Sequence, residues 1–229
     1  MKISILVPCY NEKDYILEVL KNINKQKDFF NLEIIISDDC SNDGTLQILE
    51  NNKNLYDKII TSKKNLGKGH AIKNAINFIT GDVVIIQDAD LEYSPNDYEK
   101  IIEPFLNNNA DVVYGSRFQG SSKKRIIYFK NKVANVIITF ICNLMTNLNF
   151  SDVETGFKAF KVDLLKKINL KENTFSFEIE VTMKISKFKV KIYEVGISYN
   201  GRTVEEGKKI KFIDGLKAIY SIFKYKFFN

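Results

Sequence analysis

Apolar residues along the first half of the chain follow two alternating rhythms. Short, largely β-branched runs occur at 3–8 (ISILVP), 32–37 (LEIIIS), 57–62 (DKIITS), 82–87 (DVVIIQ) and 110–116 (ADVVYGS). Between them, apolar positions recur at helical spacing: Ile16, Val19, Leu20 and Ile23 within 12–26, and Ala71, Ala75, Ile76 and Ile79 within 68–79. Further helices are expected over 43–52, after polar caps, and over 96–106, where Pro95 suits the first position. Continuous apolar runs, rather than alternating ones, mark strands covered on both faces. The pattern therefore predicts an α/β fold built on a mainly parallel sheet with flanking helices.

The second half is less regular. A basic, apolar helix is expected over roughly 124–147, shorter ones near 162–168 and 177–187, a strand over 190–198 and a charged loop over 200–209. The last segment mixes Lys211, Lys217, Lys224 and Lys226 with Phe212, Ile213, Leu216, Tyr220 and Phe223. Together with the 124–147 helix it has the character of an interfacial helix, with basic residues beside aromatics. The alternative is a helix packed on the sheet or on a second subunit of a homo-oligomer. The most apolar stretch, 133–150, is broken by four Asn and is too short for a membrane span.

Composition changes this picture little. With 229 residues, 45% hydrophobic and 27% charged, the chain can bury a sizeable core. A net charge of +6 is modest and gives no indication of nucleic-acid binding. Three cysteines without paired spacing fit reduced thiols in the cytoplasm, and one histidine argues against a histidine-based metal site. The opening MKISILVPCYNE carries too short an apolar run for a signal peptide.

Ligands of parallel sheets gather at the carboxyl ends of the strands, and polar clusters stand there. Pro8, Cys9, Tyr10, Asn11 and Glu12 follow the first run, and Asp38, Asp39, Cys40 and Ser41 the second. Asp88, Asp90 and Glu92 follow the fourth, and in an extended segment alternate residues share one face. Three close carboxylates persist most easily around a cation, and hard oxygen ligands with open positions suit Mg²⁺ or Mn²⁺ bridging to a diphosphate. The alternative is a solvated turn in which Asp90 or Ser94 caps the next helix. Lys68, between Gly67 and Gly69 at a helix start, is placed for an anion, the alternative being a plain turn. Arg117 after the fifth run, and Arg202 and Lys208 in the 200–209 loop, are candidate phosphate contacts or plain surface residues.

Read in order, SILVPCYNE, IIISDDCSNDGT, NLGKGHAI, IIQDADLEYSP and DVVYGSRF resemble the motifs of family-two glycosyltransferases of the GT-A fold. LNFSDVETGFKAF, FSFEIEVTMKIS and YEVGISYNGRTVEEGKK extend the resemblance to the branch of dolichyl-phosphate mannose and glucose synthases and bacterial polyprenyl-phosphate glycosyltransferases. The resemblance implies a single catalytic domain over 1–229. Residues 1–118 would form the nucleotide-sugar half, 119–210 the acceptor half and 211–229 a basic amphipathic helix. It implies that Pro8, Tyr10, Glu12 and Asp39 line the nucleotide pocket, with Lys68 and Asp88 holding base, ribose or diphosphate. Asp90 and Glu92 would bind Mg²⁺ or Mn²⁺, and Asp152 would face sugar and acceptor. Arg117 and Arg202 would face an acceptor phosphate. The implied reaction transfers a sugar, with inversion, from a GDP- or UDP-linked donor to a polyprenyl phosphate at the inner membrane face. The alternative acceptor is a glycan hydroxyl, for which Asp152 is the first candidate base. Residues 126–135 lack the Arg-and-Ser pattern of several lipid-phosphate enzymes, and Lys158 stands where many relatives carry Arg.

Overall fold

Alternate residues of the buried strands divide between two cores, one on each face of a single sheet. In the computed structural model, which describes residues 1–120, 123–126, 128–203, 205–207 and 212–228, seven strands form this sheet. Lys208 and Lys211 lie outside the described residues, as does the side chain of Phe212. The strands are β1 (Ile3–Cys9), β2 (Leu32–Asp38), β3 (Lys58–Thr61), β4 (Val83–Ile86), β5 (Val112–Ser116), β6 (Lys158–Lys161) and β7 (Ile192–Gly196). The helices are α1 (Ile16–Asn24), α2 (Thr45–Asn51), α3 (Lys68–Ile76), α4 (Tyr98–Asn107), α5 (Phe129–Thr146), α6 (Val162–Lys167), α7 (Phe177–Ile185) and α8 (Phe212–Phe227).

The sheet order is β3-β2-β1-β4-β6-β5-β7. All neighbours pair in parallel except β6, which runs antiparallel to both β4 and β5. Ile5 and Val7 of β1, Ile34 and Ile36 of β2, and Val83 and Ile85 of β4 face the core under α1 and α4. Leu6, Ile35, Val84 and Ile86 face the other way, toward a core completed by α3, α5, α6, α7 and α8. The predicted stripe of α1 is wholly buried at Ile16, Val19, Leu20 and Ile23. Ahead of α4, Ser94 accepts a hydrogen bond from the Asn96 N–H (3.3 Å), with Pro95 opening a short 3₁₀ turn.

Two expectations need correction. No strand was expected at 158–161, yet β6 sits in the middle of the sheet; its buried Lys158 hides the apolar signal of a central strand. The helix expected from 124 begins at Phe129, because Tyr128 is extended (φ −76°, ψ 117°).

At the amino ends of the strands, the Glu33 carboxylate pairs with Lys2 (2.7 Å), accepts hydrogen bonds from the Ser4 and Thr80 hydroxyls, and also accepts one from the Thr80 N–H (2.7 Å). Burial alone would raise its pKa, but these partners together hold it at about 2 instead of 4.5. A carboxyl depressed on folding stabilises the native state above its unfolded pKa and loses that contribution as pH falls through the folded value. Wild-type stability is thus expected to decline between pH 4.5 and about 2, and Glu33→Gln should flatten this part of the profile. Chemical denaturation at stepped pH reads the difference.

Candidate active site

Gln87 directly follows β4 and is fully buried. Its amide donates to the carbonyls of Asp88 and Tyr93 (both 3.1 Å), and its Oε1 accepts from the Tyr98 hydroxyl (3.2 Å). This pins the loop that carries the three acids. Within it Leu91 takes a left-handed conformation (φ +59°), uncommon for a side chain of this size. The segment is therefore not extended, and the three acids do not share one face by strand alternation. Asp88 meets one set of partners, and Asp90 with Glu92 another.

Asp88 faces α3 and α7. Its Oδ1 lies 2.7 Å from Lys68 Nζ, which also lies 2.9 Å from Glu178 Oε1. Glu178 in turn pairs with Lys158, a fully buried ammonium (2.5 Å) that also donates to the carbonyls of Val153 and Thr155. The result is a buried ladder of alternating charge, Asp88–Lys68–Glu178–Lys158. Burial would lower the pKa of Lys68, but Asp88 and Glu178 raise it, so it stays charged. Burial pulls Lys158 down, and Glu178 offsets this only in part. Gly156 abuts the ladder: a Cβ there would press on Asp88 Oδ2 and stand 2.9 Å from Lys68 Nζ.

Asp90 and Glu92 face Arg202. Its Nη2 donates to Asp90 Oδ2 (2.6 Å), its Nη1 to Glu12 Oε2 (3.1 Å), and its Nε lies 3.7 Å from Glu92 Oε1. Burial, with Asp88 and Glu92 close by, raises the Asp90 carboxyl to about 7 against the opposing pull of Arg202. Among the described residues, no three His, Cys, Asp or Glu side chains surround one point as a ready metal cage. Mg²⁺ and Mn²⁺ sites that are completed by substrate phosphates and water need only one or two carboxylates. Asp90 and Glu92 already direct hard oxygens at one cation, a guanidinium, so the donor set fits such an ion.

Around the first two strand ends, Asp39 holds the glycine loop. Its Oδ2 accepts from the N–H groups of Leu66 (2.8 Å) and Gly67 (2.5 Å), and its Oδ1 meets His70 Nδ1 at 3.1 Å. Gly67 is required there, with φ +108° and Asn173 O only 2.6 Å from where a Cβ would sit. Pro8 lies inside β1 opposite Ser37, and Tyr10 follows it, half-buried at the sheet edge.

Arg117 and Asp152 form a separate pair. Arg117 Nε donates to Asp152 Oδ2 and its Nη2 to Oδ1 (both 2.7 Å), while the Arg117 N–H adds a bond to Oδ2 (3.1 Å). Asp152 is fully buried, and its main-chain N–H donates to Glu194 (3.0 Å). Both carboxylate oxygens are thus occupied by one arginine. Nearby, Glu154 Oε1 is buried without a hydrogen-bond partner, and burial pushes this carboxyl up to about 7 despite Lys158. A cavity of about 200 Å³ beside Glu92 is lined in part by Lys123, Lys124, Arg125 and Tyr199.

The structure therefore brings Glu12, Asp39, Lys68, Asp88, Asp90 and Glu92 to one edge of the sheet, as expected from the strand ends. It sets Arg202 among the acids, and Arg117 on Asp152, where open basic positions had been expected. Lys158 was noted from sequence only as standing where many relatives carry Arg, and Glu178 and Glu154 were not singled out. Their only signal was charge embedded in apolar runs, in VETGFKAF and FSFEIEV.

Comparison with known proteins gives a consistent picture. The sequence profile described as Glycosyl transferase family 2 matches residues 4–169. The dolichol-phosphate mannosyltransferase of Pyrococcus furiosus is 28% identical over 231 residues, covering 99% of this chain and 65% of that protein. The chain thus spans under two thirds of that relative. An uncharacterized protein of Methanocaldococcus jannaschii is also 28% identical, covering 99% of this chain and 93% of its own. Among solved structures, glucosyl-3-phosphoglycerate synthase of Mycobacterium tuberculosis, crystallised with Mn²⁺, UDP and phosphoglyceric acid, superposes with a TM-score of 0.74. That match has 17% identity and covers 100% of this chain and 79% of the other. Mannosyl-3-phosphoglycerate synthase of Rubrobacter xylanophilus gives 0.74 at 16% identity, over 98% of this chain and 72% of the other. At such identity the likeness concerns the fold: a GT-A-like, mostly parallel mixed sheet flanked by helices.

Proposed function

The chain belongs to glycosyl transferase family 2, and from that membership we propose that it transfers a sugar from a nucleoside-diphosphate sugar to a polyprenyl phosphate. The observation that carries the donor half is the convergence of Asp39, Lys68, Asp88, Asp90 and Glu92 at the carboxyl edge of the sheet. Asp39 and Tyr10 take the base side, and Lys68 with Asp88 the ribose and diphosphate. Asp90 and Glu92 would hold Mg²⁺ or Mn²⁺, which when bound would supply charge stabilisation for the departing nucleoside diphosphate. An acceptor phosphate oxygen forms the new bond to the anomeric carbon as the bond to the diphosphate breaks. The electron pair leaves with the nucleotide and the centre inverts. Such an oxygen is already anionic near neutral pH, so no general base is required. The basic cleft of Lys123, Lys124 and Arg125 offers charge to hold it.

The lipid acceptor is supported by a broad apolar surface next to this cleft. Phe129, Val133, Val136, Ile137, Phe140 and Leu144 of α5 are exposed. Leu216, Tyr220, Phe223 and Phe227 of the neighbouring α8 are exposed too, with Lys130, Lys132, Lys217 and Lys226 around them. No helix among the described residues is long and apolar enough to cross a membrane, so contact would be peripheral. A second copy of the chain is the competing occupant of this face. The second reading, transfer to a hydroxyl, is favoured by one observation. Glu154 has an unpartnered carboxyl oxygen near the Arg117–Asp152 pair and is a better proton acceptor than Asp152, whose oxygens are both engaged.

The test is a screen of UDP- and GDP-sugars with Mn²⁺ or Mg²⁺, with and without a short-chain polyprenyl phosphate. Lipid-dependent sugar transfer from one donor is expected. Polyprenyl phosphate left unmodified by every donor that binds would overturn the lipid reading in favour of the hydroxyl one. Flotation with anionic vesicles at low salt should carry the protein upward, and its absence would remove the membrane face.

A further inference from the structure

Glu12 follows β1, whereas Asp90 and Glu92 follow β4, yet all three turn to one guanidinium. Arg202 reaches Asp90 Oδ2 at 2.6 Å and Glu12 Oε2 at 3.1 Å, while its main-chain N–H donates to Glu92 Oε1 at 2.8 Å. Its Cζ lies 5.3 Å from the Tyr15 ring, and the residue is only 8% exposed. The remaining oxygens are engaged as well: Glu92 Oε2 accepts from the Tyr199 hydroxyl (2.9 Å), and Asp90 Oδ1 from the Glu92 N–H (3.2 Å). One atom is out of place. Arg202 Nε is buried without a hydrogen-bond acceptor, so the cluster satisfies the two Nη groups but leaves one donor of this cation unpaired.

We propose that Arg202 is the resting counter-ion of the donor-side acids, and that a divalent cation and Arg202 hold those acids in turn. The proposal rests on the assignment of Asp90 and Glu92 to the metal given above. A metal ion bound to Asp90 sits ~2.1 Å from its oxygen, so a guanidinium 2.6 Å from that same oxygen places two cations in mutual repulsion. Arrival of the cation expels Arg202. The displaced side chain belongs to the same stretch as Tyr199 and Asn200, which line the cleft with Lys123, Lys124 and Arg125. It then adds a fork-shaped donor where an acceptor phosphate would enter. Filling the donor side thus arms the acceptor side, and the two substrates bind in that order.

The test uses the full chain and Mn²⁺ alone, titrated by the electron paramagnetic resonance of the free ion. Arg202→Ala should tighten Mn²⁺ binding by about tenfold or more, and Arg202→Lys by less, since linkage makes any competitor lower apparent affinity. Arg125→Ala removes an equal charge without touching the acids and should change the affinity no more than about twofold. In the wild type, Mn²⁺ should accelerate hydrogen exchange at the Arg202 amide, a readout that needs no variant to fold. Unchanged or weaker Mn²⁺ binding in Arg202→Ala, with binding abolished by Asp90→Asn, would overturn the exchange and leave the metal assignment standing. An Arg202 amide indifferent to saturating Mn²⁺ would overturn it too. Mn²⁺ binding indifferent to Asp90→Asn would remove the metal assignment and the exchange together.

Discussion

Asp90→Asn is expected to reduce kcat/KM for sugar transfer by on the order of 10²–10³-fold while leaving the protein folded, because it withdraws charge from where the leaving group is stabilised. The fold should tolerate the change for a physical reason. Asp90 stands beside Asp88 and Glu92, and burial with these like charges already pushes its carboxyl up to about 7. An amide of the same shape relieves that repulsion, although it weakens the hold on Arg202. The thermal midpoint is therefore expected at or above that of the wild type. The combination of lost activity and retained stability is what separates a functional acid from a capping one. Steady-state kinetics beside a thermal melt checks it. A variant with near-normal turnover would return Asp90 to the turn-capping role the sequence also allowed.

The second large effect concerns stability. Glu178→Leu should destabilise the protein by ~3–5 kcal/mol, since it leaves Lys158 as an uncompensated charge in the interior. Lys158 is fully buried, and its other contacts are two carbonyls and the Tyr114 ring, 4.7 Å away. Lys68 would keep Asp88, so the damage falls mainly on one ammonium. Lys158→Met combined with Glu178→Leu should recover much of the loss, because a buried pair replaced by apolar residues is often close to neutral. Denaturant unfolding of the two single variants and the double variant measures the coupling. Simple additivity would mean that the two charges do not depend on each other.

Much of the site could be read from the chain because it lies at the ends of strands that announce themselves. ISILVP, LEIIIS and DVVIIQ are continuous apolar runs, and the polar residues after each had to emerge at one edge of a parallel sheet. What could not be read is how those residues pair. Strand alternation put Asp88, Asp90 and Glu92 on one face, but the segment is not extended, and Asp88 pairs with Lys68 while Asp90 and Glu92 meet Arg202. Nothing local in the sequence marks the left-handed turn at Leu91, since leucine does not favour it. Arg117 and Arg202 looked like free basic positions because their partners, Asp152 and Glu12, lie 35 and 190 residues away. The buried ladder was hidden for a related reason. A lysine within FKAFK reads as surface until Glu178, on a different element, supplies its counter-charge.

The central antiparallel strand also shapes how the chain assembles. β3, β2, β1 and β4 form one parallel block and β5 with β7 another, and the two are joined through the sheet only by β6. Val84 pairs with Phe160, and Val112 with the same residue from the other side. During synthesis the first block can pair as it emerges, but β5 has no neighbour until residues 158–161 leave the ribosome. Closure of the sheet therefore waits on a non-local step, and such pairings are slow because loop-closure entropy comes first. The strand that joins the two blocks adjoins Gly156 and carries Lys158, so the buried ladder forms only once β6 and then α7, which carries Glu178, are in place. A chain stalled before β6 would present the open edge of β4 and both edges of β5 to other chains.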